Sequence, residues 1–403
     1  MTPPTSPLMK CPAARPQGCA RRGLNDAVAQ NSRCSLKHGF FKIPLTMKEL
    51  MQKAIQQAVA LKKQPDSTPW KPDEPCAQPY YSWNADKEEW QLIEPSTPQS
   101  GDQTHSTGIA TLALYSWNID FMLPFPETRM DAALAHLEEL TTQLLSTTTT
   151  AVVINLQECA PSDLIVISQK QWIRDSFYIT DIDAFAWASG VYGTTTLVDR
   201  RLGISSCFRV HYSKTRMERD ALFVDVVMPA SSGQGKKLRL CNTHLESLAL
   251  EPPLRPSQMR LVATHMHADG VSGAIAAGDF NAIQPFDRSL HSDNGLKDAY
   301  LELGGQEDRD EGYTWGQQAL PELRKQFGCS RMDKVYFRGG ALKLLSFERF
   351  GADVEIHGDA KEQRDQLLLL YGFEKPWVTD HLGVKAVFNI TNDLHLQEDN
   401  GTD

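Results

Sequence analysis

No two cysteines in this sequence are spaced as a metal clip or a redox motif. Cys11, Cys19, Cys34, Cys76, Cys159, Cys207, Cys241 and Cys329 are scattered, with no C-x-x-C among them. That excludes a zinc module and a small secreted disulfide framework, and makes reduced thiols in a nuclear or cytoplasmic protein the expectation. No apolar run approaches the roughly 18 residues needed to cross a bilayer, so no membrane partner is expected. An apolar signal core is also missing, and no acidic residue stands before Asp26. A basic leader of this kind could be a mitochondrial address, but its prolines spoil an amphipathic helix, and a disordered leader is expected instead. The net charge of −9 and pI near 5.7 argue against nonspecific wrapping of nucleic acid while leaving room for a local basic groove.

What the sequence does contain falls into three parts. Residues 1–108 read as an N-terminal extension: the leader, a helix over 46–63 with a Thr46/Glu49 capping box, an aromatic hairpin over 79–93, and a polar linker. The aromatics of the hairpin (Tyr80, Tyr81, Trp83, Trp90) are read as packing. From residue 109 to 392, strands alternate with fewer helices, which predicts an α/β fold in which paired sheets are favoured over one doubly wound sheet. Strands are expected at 111–119, 151–158, 203–212, 221–228, 237–244, 274–277, 332–338 and 385–390, with helices at 127–145 and 256–269. An acidic tail, 393–403, closes the chain.

The chemistry is concentrated in six polar motifs at strand ends. In order they are WNID (Asn118, Asp120), LQE (Gln157, Glu158), NTHLES (Asn242, His244, Glu246, Ser247), GDFN (Asp279, Asn281), RMDKVYF (Arg331, Asp333) and TDH (Asp380, His381). In GDFN the alternation of a strand would project Asp279 and Asn281 together and turn Phe280 into the core. Each motif alone has a dull reading as a turn, a polar strand cap or a satisfied histidine. Two segments are locally basic: residues 199–219 hold six Arg or Lys against two acids, and residues 324–338 five against one.

In this order the motifs resemble the endonuclease/exonuclease/phosphatase superfamily of Mg-dependent phosphodiesterases, over about residues 111–390. The resemblance implies a four-layered sandwich with two central mixed β-sheets flanked by helices, and a site at one end. It implies Glu158 as a hard oxygen ligand for Mg²⁺, or Mn²⁺ in its place, with Asn118 and Asp279 near the metal. Asp279 and Asn281 would handle the attacking water, and His244 and His381 would donate to charge growing on phosphorus. Asp333 is carried over as an organising acid. Either Asp380 or another acid would orient the catalytic imidazole.

Within the superfamily, WNID, NTHLES with Ser247, YTWG and RMDKVYFRG look like the tyrosyl-DNA phosphodiesterase 2 branch, and Ser213 to Arg219 echoes its STMxR segment. The branch's GDTN is GDFN here, its SDHWG is TDHLG, and the ubiquitin-associated domain of the animal enzymes is not found in residues 1–110. The resemblance implies a hydrolase of DNA repair, expected as a monomer, whose partner is a DNA 5′ end carrying a phosphotyrosyl peptide. Ser247, Arg216, Arg219 and Arg331 would meet the DNA, and Trp315 would either stack on a terminal base or belong to the core. The alternatives are another phosphodiesterase of the superfamily (abasic-site endonuclease, RNA deadenylase or inositol-phosphate phosphatase) and an inactive binding scaffold.

Overall fold

The computed structural model describes residues 46–94, 108–228 and 236–390, together with the two-residue strand Met9–Lys10. The rest of the expected leader, the linker after residue 94 and the acidic tail lie outside the described residues.

Strands buried on both faces build the molecule. In Thr111–Asn118, Leu112 and Leu114 point one way while Ala113, Tyr115 and Trp117 point the other, and all five are inaccessible to solvent. Thr150–Cys159 pairs with it in parallel and repeats the division, with Ala151 and Val153 on the first side and Val152, Ile154 and Leu156 on the second. The first side meets Leu222, Val224, Leu240, Ile275 and Val335 of another sheet, and the second meets the helices Pro126–Ser146 and Pro161–Gln169. A third apolar layer, with Phe223, Met259, Val262 and Phe280, packs the helix Arg255–Met266 on the outside of the other sheet. The fold is the expected four-layered α/β sandwich with two mixed sheets.

Each sheet has eight strands. One runs Met9–Lys10, Pro75–Ala77, Gly203–His211, Asp220–Met228, Lys236–His244, Gly273–Asp279, Asp333–Arg338, Lys297–Asp298 from edge to edge. The other runs Leu342–Phe350, Gly383–Ile390, Thr111–Asn118, Thr150–Cys159, Gly193–Asp199, Phe177–Ile179, Tyr80–Asn84, Glu89–Ile93.

Two expectations need correction. The boundary at 108 does not separate an extension from a catalytic unit, because Pro75–Ala77 extends one sheet and the hairpin Tyr80–Asn84/Glu89–Ile93 extends the other. The helix Met47–Ala60 forms with its capping box, as the sequence predicts, and buries Met47 and Ala58. Nor are all the cysteines reduced: Cys159, Cys207, Cys241 and Cys329 are free, but Cys76 is in a disulfide.

At one end of the sandwich the space between the sheets changes from apolar to polar. Gln157 donates to Ser116 Oγ (3.1 Å) and to Asn242 Oδ1 across the gap (2.8 Å). Asn242 donates to the carbonyls of Leu156 and Thr195, and Thr196 donates to Asn155, which reaches the Cys241 carbonyl. These amides are buried, and all their polar atoms but Gln157 Oε1 find partners among the described residues. They form the floor on which the site stands.

Candidate active site

Register alone brings half of the site together. His244 is opposite Asp279 in a parallel pair, and Asp279 is opposite Asp333 in an antiparallel one, so three motifs end side by side on one sheet. The other sheet brings Asn118 beside Gln157, and His381 enters just before Gly383–Ile390. Three non-glycine residues at these strand ends adopt left-handed backbone: Asp120 (φ 55°), Glu158 (φ 56°) and Asn281 (φ 47°). Such conformations cost about 1 kcal/mol or more each and persist where surrounding structure enforces them. At Glu158 the kink coincides with a register shift between Leu156 and Cys159, and the carboxylate lines the same cleft as Asp279.

Asp279 is the hub. Its Oδ2 accepts from Asn118 Nδ2 (3.0 Å) and lies 3.2 Å from His244 Nε2, while its Oδ1 accepts from the Asn281 amide (2.8 Å). Burial would raise its pKa, but His244, His381 and the Asn281 N–H hold it well below the usual carboxylate range. Phe280 turns the other way, against Tyr336. Arg219 stacks over Tyr192 and donates to His244 Nδ1 at 2.5 Å, which leaves the ring proton on Nε2, toward Asp279. Burial and that guanidinium together lower the His244 pKa, so the ring is neutral.

His381 is the opposite case. Its Nδ1 meets Asp333 Oδ2 at 2.8 Å, and its Nε2 lies 3.8 Å from both Asp279 and Asp380. Burial disfavours the charged ring, yet the three carboxylates outweigh burial and raise its pKa well above the ordinary value. Burial lifts Asp333 to about 6 against the pull of His381, so at neutral pH the two form an ion pair. The open question of the orienting acid is thereby answered: Asp333 holds the imidazole. Asp380 is turned toward the cleft, where Trp315 Nε1 donates to it at 2.7 Å.

Asp120, Glu158 and Asp380 line the cleft together. Burial, then Asp380 and Glu158, push Asp120 up, and Asp380 is raised mainly by its own burial, with Glu158 and Asp279 adding to it. This surplus of hard, buried negative charge fits a divalent cation that takes one or two carboxylates and keeps its waters. The ligand atoms of Asp279, Asp333 and His381 also lie within 4.8 Å of one another. There, however, the aspartates and the imidazole are already engaged with each other and with Asn118 and Asn281. Asn118 itself, expected near the metal, spends its amide on Asp279 and on the Asp120 N–H.

The sequence model of the Endonuclease/Exonuclease/phosphatase family matches residues 115–381, two thirds of the chain and every motif of the site. The chain belongs to this family. No curated protein matches the sequence. Among solved structures, D. rerio TDP2 complexed with a single-strand DNA product is 19% identical, with a TM-score of 0.51 over 69% of this chain and 99% of that one. Truncated Caenorhabditis elegans TDP2 is 20% identical (TM-score 0.49; 69% and 97%), and the human Nocturnin catalytic domain 19% (0.45; 70% and 94%). At these identities the first likeness supports the fold. Family members are generally divalent-metal dependent, in keeping with the carboxylates described.

The endonuclease/exonuclease/phosphatase motifs converge, but the expected DNA contacts divide. Ser247 and Trp315 line the cleft half-buried, and Arg216 is exposed. Arg219 is buried inside the site, and Arg331 is pinned by Asp298 (2.8 and 3.1 Å) and Glu307. Arg201, Arg209 and Lys334 are likewise tied to Asp199, to Asp181 and Asp220, and to Glu307. These buried, paired cations are not free to meet phosphate, whereas Lys214, Arg216 and Lys325 of the same segments are exposed.

Sequence reading missed Arg129 altogether. It lies fully buried in the helix Pro126–Ser146 and donates to five carbonyls: Ile119, Asp120, Leu123, Pro124 and Val378. It thus ties the loop that carries Asp120 to the one that leads to Asp380 and His381. Only its position, a few residues after WNID on an apolar helix face, could have signalled it.

Proposed function

We propose that this chain is a Mg²⁺-dependent phosphodiesterase of DNA ends that hydrolyses the 5′-phosphotyrosyl bond left by a trapped topoisomerase. The observation that carries the reading is the pair of opposites around one small volume: a protonated His381 held by Asp333, 3.8 Å from an ionised Asp279 that three donors fix in place. Such a site can orient a water on the carboxylate side and stabilise phosphoryl charge on the imidazolium side. Asp279, held at low pKa, is a strong orienter and a weak base, so its contribution is alignment of the water with Asn281 beside it. His244, neutral and with its Nε2 proton toward Asp279, keeps that carboxylate in register.

Glu158 and Asp380, with Asp120 next to them, would hold a divalent ion, which when bound would supply positive charge to offset the negative charge of the phosphoryl group. A tyrosine leaving group has a conjugate acid near pKa 10, so it departs without the proton that a sugar hydroxyl would need. No residue of the cleft has to serve as its acid. The WNID, NTHLES and YTWG segments and the TDP2 structure that holds a DNA product support this substrate over the others of the family. Turnover of a 5′-phosphotyrosyl oligonucleotide with Mg²⁺, run beside abasic DNA, poly(A) RNA and an inositol phosphate, tests it. Preferential cleavage of any other member of that panel overturns the assignment.

A further inference from the structure

The helix Met47–Ala60 lies outside the family-matched residues, yet it reaches the cleft. At its start, Met47 packs in the layer of Leu123 and Phe373, and Met47 and Met51 both line the cleft. Past its end, Leu61 touches Gly190, Lys62 pairs with Glu218 at 2.5 Å, and Lys63 donates to the carbonyls of Ala184 and Phe185 at 2.7 Å. The helix is held at both ends and packs through Met47, Leu50, Ala54 and Ala58. Its flank is different. Met51, Ile55 and Val59 follow one another at i, i+4, starting in the cleft and running outward, and Ile55 and Val59 are 53% and 71% exposed. Gln52 and Gln56 border them on one side, and the exposed Lys48 stands next to Met51 and Ile55.

We infer that this flank is a subsite for the peptide of the substrate, receiving apolar side chains next to the leaving tyrosine; the inference rests on the functional reading above. A substrate at this cleft has two arms. The nucleic-acid arm carries a charge at every nucleotide and could use the exposed Lys48 beside the row, but it gains nothing from Ile55 and Val59 themselves. The peptide arm is the one that can cover it. From Met51 to Val59 the helix rises about 12 Å, the length of three or four extended residues. The row is continuous with the cleft, so a peptide whose tyrosine sits at the phosphorus reaches it without crossing open solvent.

The test uses the full chain and one oligonucleotide carrying, at its 5′ phosphate, either tyrosine alone, tyrosine within a leucine-rich pentapeptide, or tyrosine within a serine-rich one. The expected result is a KM about tenfold lower for the leucine-rich conjugate than for the other two, the size of covering one medium apolar side chain. Ile55→Gln with Val59→Gln, which keeps a good helix former and adds no charge, should erase that advantage and leave kcat, and KM for tyrosine alone, unchanged. Equal KM values in the wild-type chain, an equal gain with the serine peptide, or an advantage that survives the double substitution each overturn the subsite alone. Failure to cleave any conjugate overturns the functional reading together with it.

Discussion

Asp333→Asn isolates the electrostatic contribution of the acid that holds His381. The amide has the same shape and can still accept from His381 Nδ1, which now lies 2.8 Å from the carboxylate, so the ring stays in place while its counter-charge disappears. A hydrogen bond to a charged group is worth about 1.5–3 kcal/mol, against about 1 kcal/mol for a neutral one. The direct loss, read between about pH 6 and 6.5 where wild-type Asp333 is ionised and the variant's ring is still largely protonated, should therefore be roughly tenfold in the chemical step. A second loss depends on pH. His381 is protonated at neutral pH because Asp333, Asp279 and Asp380 outweigh its burial; without Asp333, burial gains ground and the ring falls back toward its ordinary range near 6.5. Single-turnover rates should then decline on the alkaline side from about pH 6.5 in the variant, tenfold per unit, while the wild-type rate holds to higher pH. The stability effect has the same sign. A raised histidine pKa contributes stability that is complete below the unfolded value and lost as pH rises through the folded one, so the wild-type margin over the variant should shrink at alkaline pH. An alkaline limb that does not move would refute the ion-pair account and leave Asp333 a packing residue.

Asp279→Asn should abolish turnover, by a factor of about 10³ or more, with the melting temperature nearly unchanged by scanning calorimetry, since the shape and most hydrogen bonds of the side chain persist. Glu158→Gln should raise the Mg²⁺ concentration for half-maximal activity, with partial recovery in excess ion; a shift of equal size in the opposite direction from Arg216→Gln, which lies on the exposed surface, would show that bulk charge and not ligation is being measured. Gly278→Ala would place a methyl 1.8 Å from the Thr243 carbonyl oxygen, so it should cost about 3 kcal/mol or more and lower Tm by roughly 5 °C or more while displacing Asp279. Deleting residues 1–107 removes strands from both sheets and should give insoluble protein; a soluble, folded truncation at full rate would mean that those strands are dispensable.

The paired sheets could be read from the sequence because their central strands alternate two apolar sets, as in Leu112 and Leu114 against Tyr115 and Trp117. Gly193–Asp199 escaped notice because GTTTLVD has only two large apolar residues behind three threonines, and Leu342–Phe350 because its exposed edge mixes charge with apolar residues. The six site motifs were visible because polar residues at the end of an apolar strand are conspicuous. Their partnerships were not. That Asp333, and not the adjacent Asp380, holds His381 depends on a contact between residues 48 apart in sequence, and Glu158 enters the cleft by a left-handed kink that strand alternation does not anticipate. Charge counts misled most, since a run of arginines looks the same whether it faces phosphate or, like Arg209 and Arg331, is consumed by buried aspartates.

The polar floor between the sheets has a mechanical meaning. Apolar packing between sheets answers to volume and shape, and the leucine and valine faces in the middle of this sandwich could be refilled in more than one way, whereas a hydrogen bond admits a narrow range of distance and angle. The site cannot tolerate such latitude: Asn118 and Asp279 belong to different sheets, His381 leads into one sheet while Asp333 belongs to the other, and each contact is a bond of 2.8–3.0 Å. The amides of Gln157, Asn242 and Asn155 act as the teeth of a gear, admitting one setting of sheet against sheet. Grip at that end, and freedom elsewhere, would let the interior drift through many apolar substitutions over evolutionary time while the distance between water-orienting carboxylate and imidazolium stays fixed.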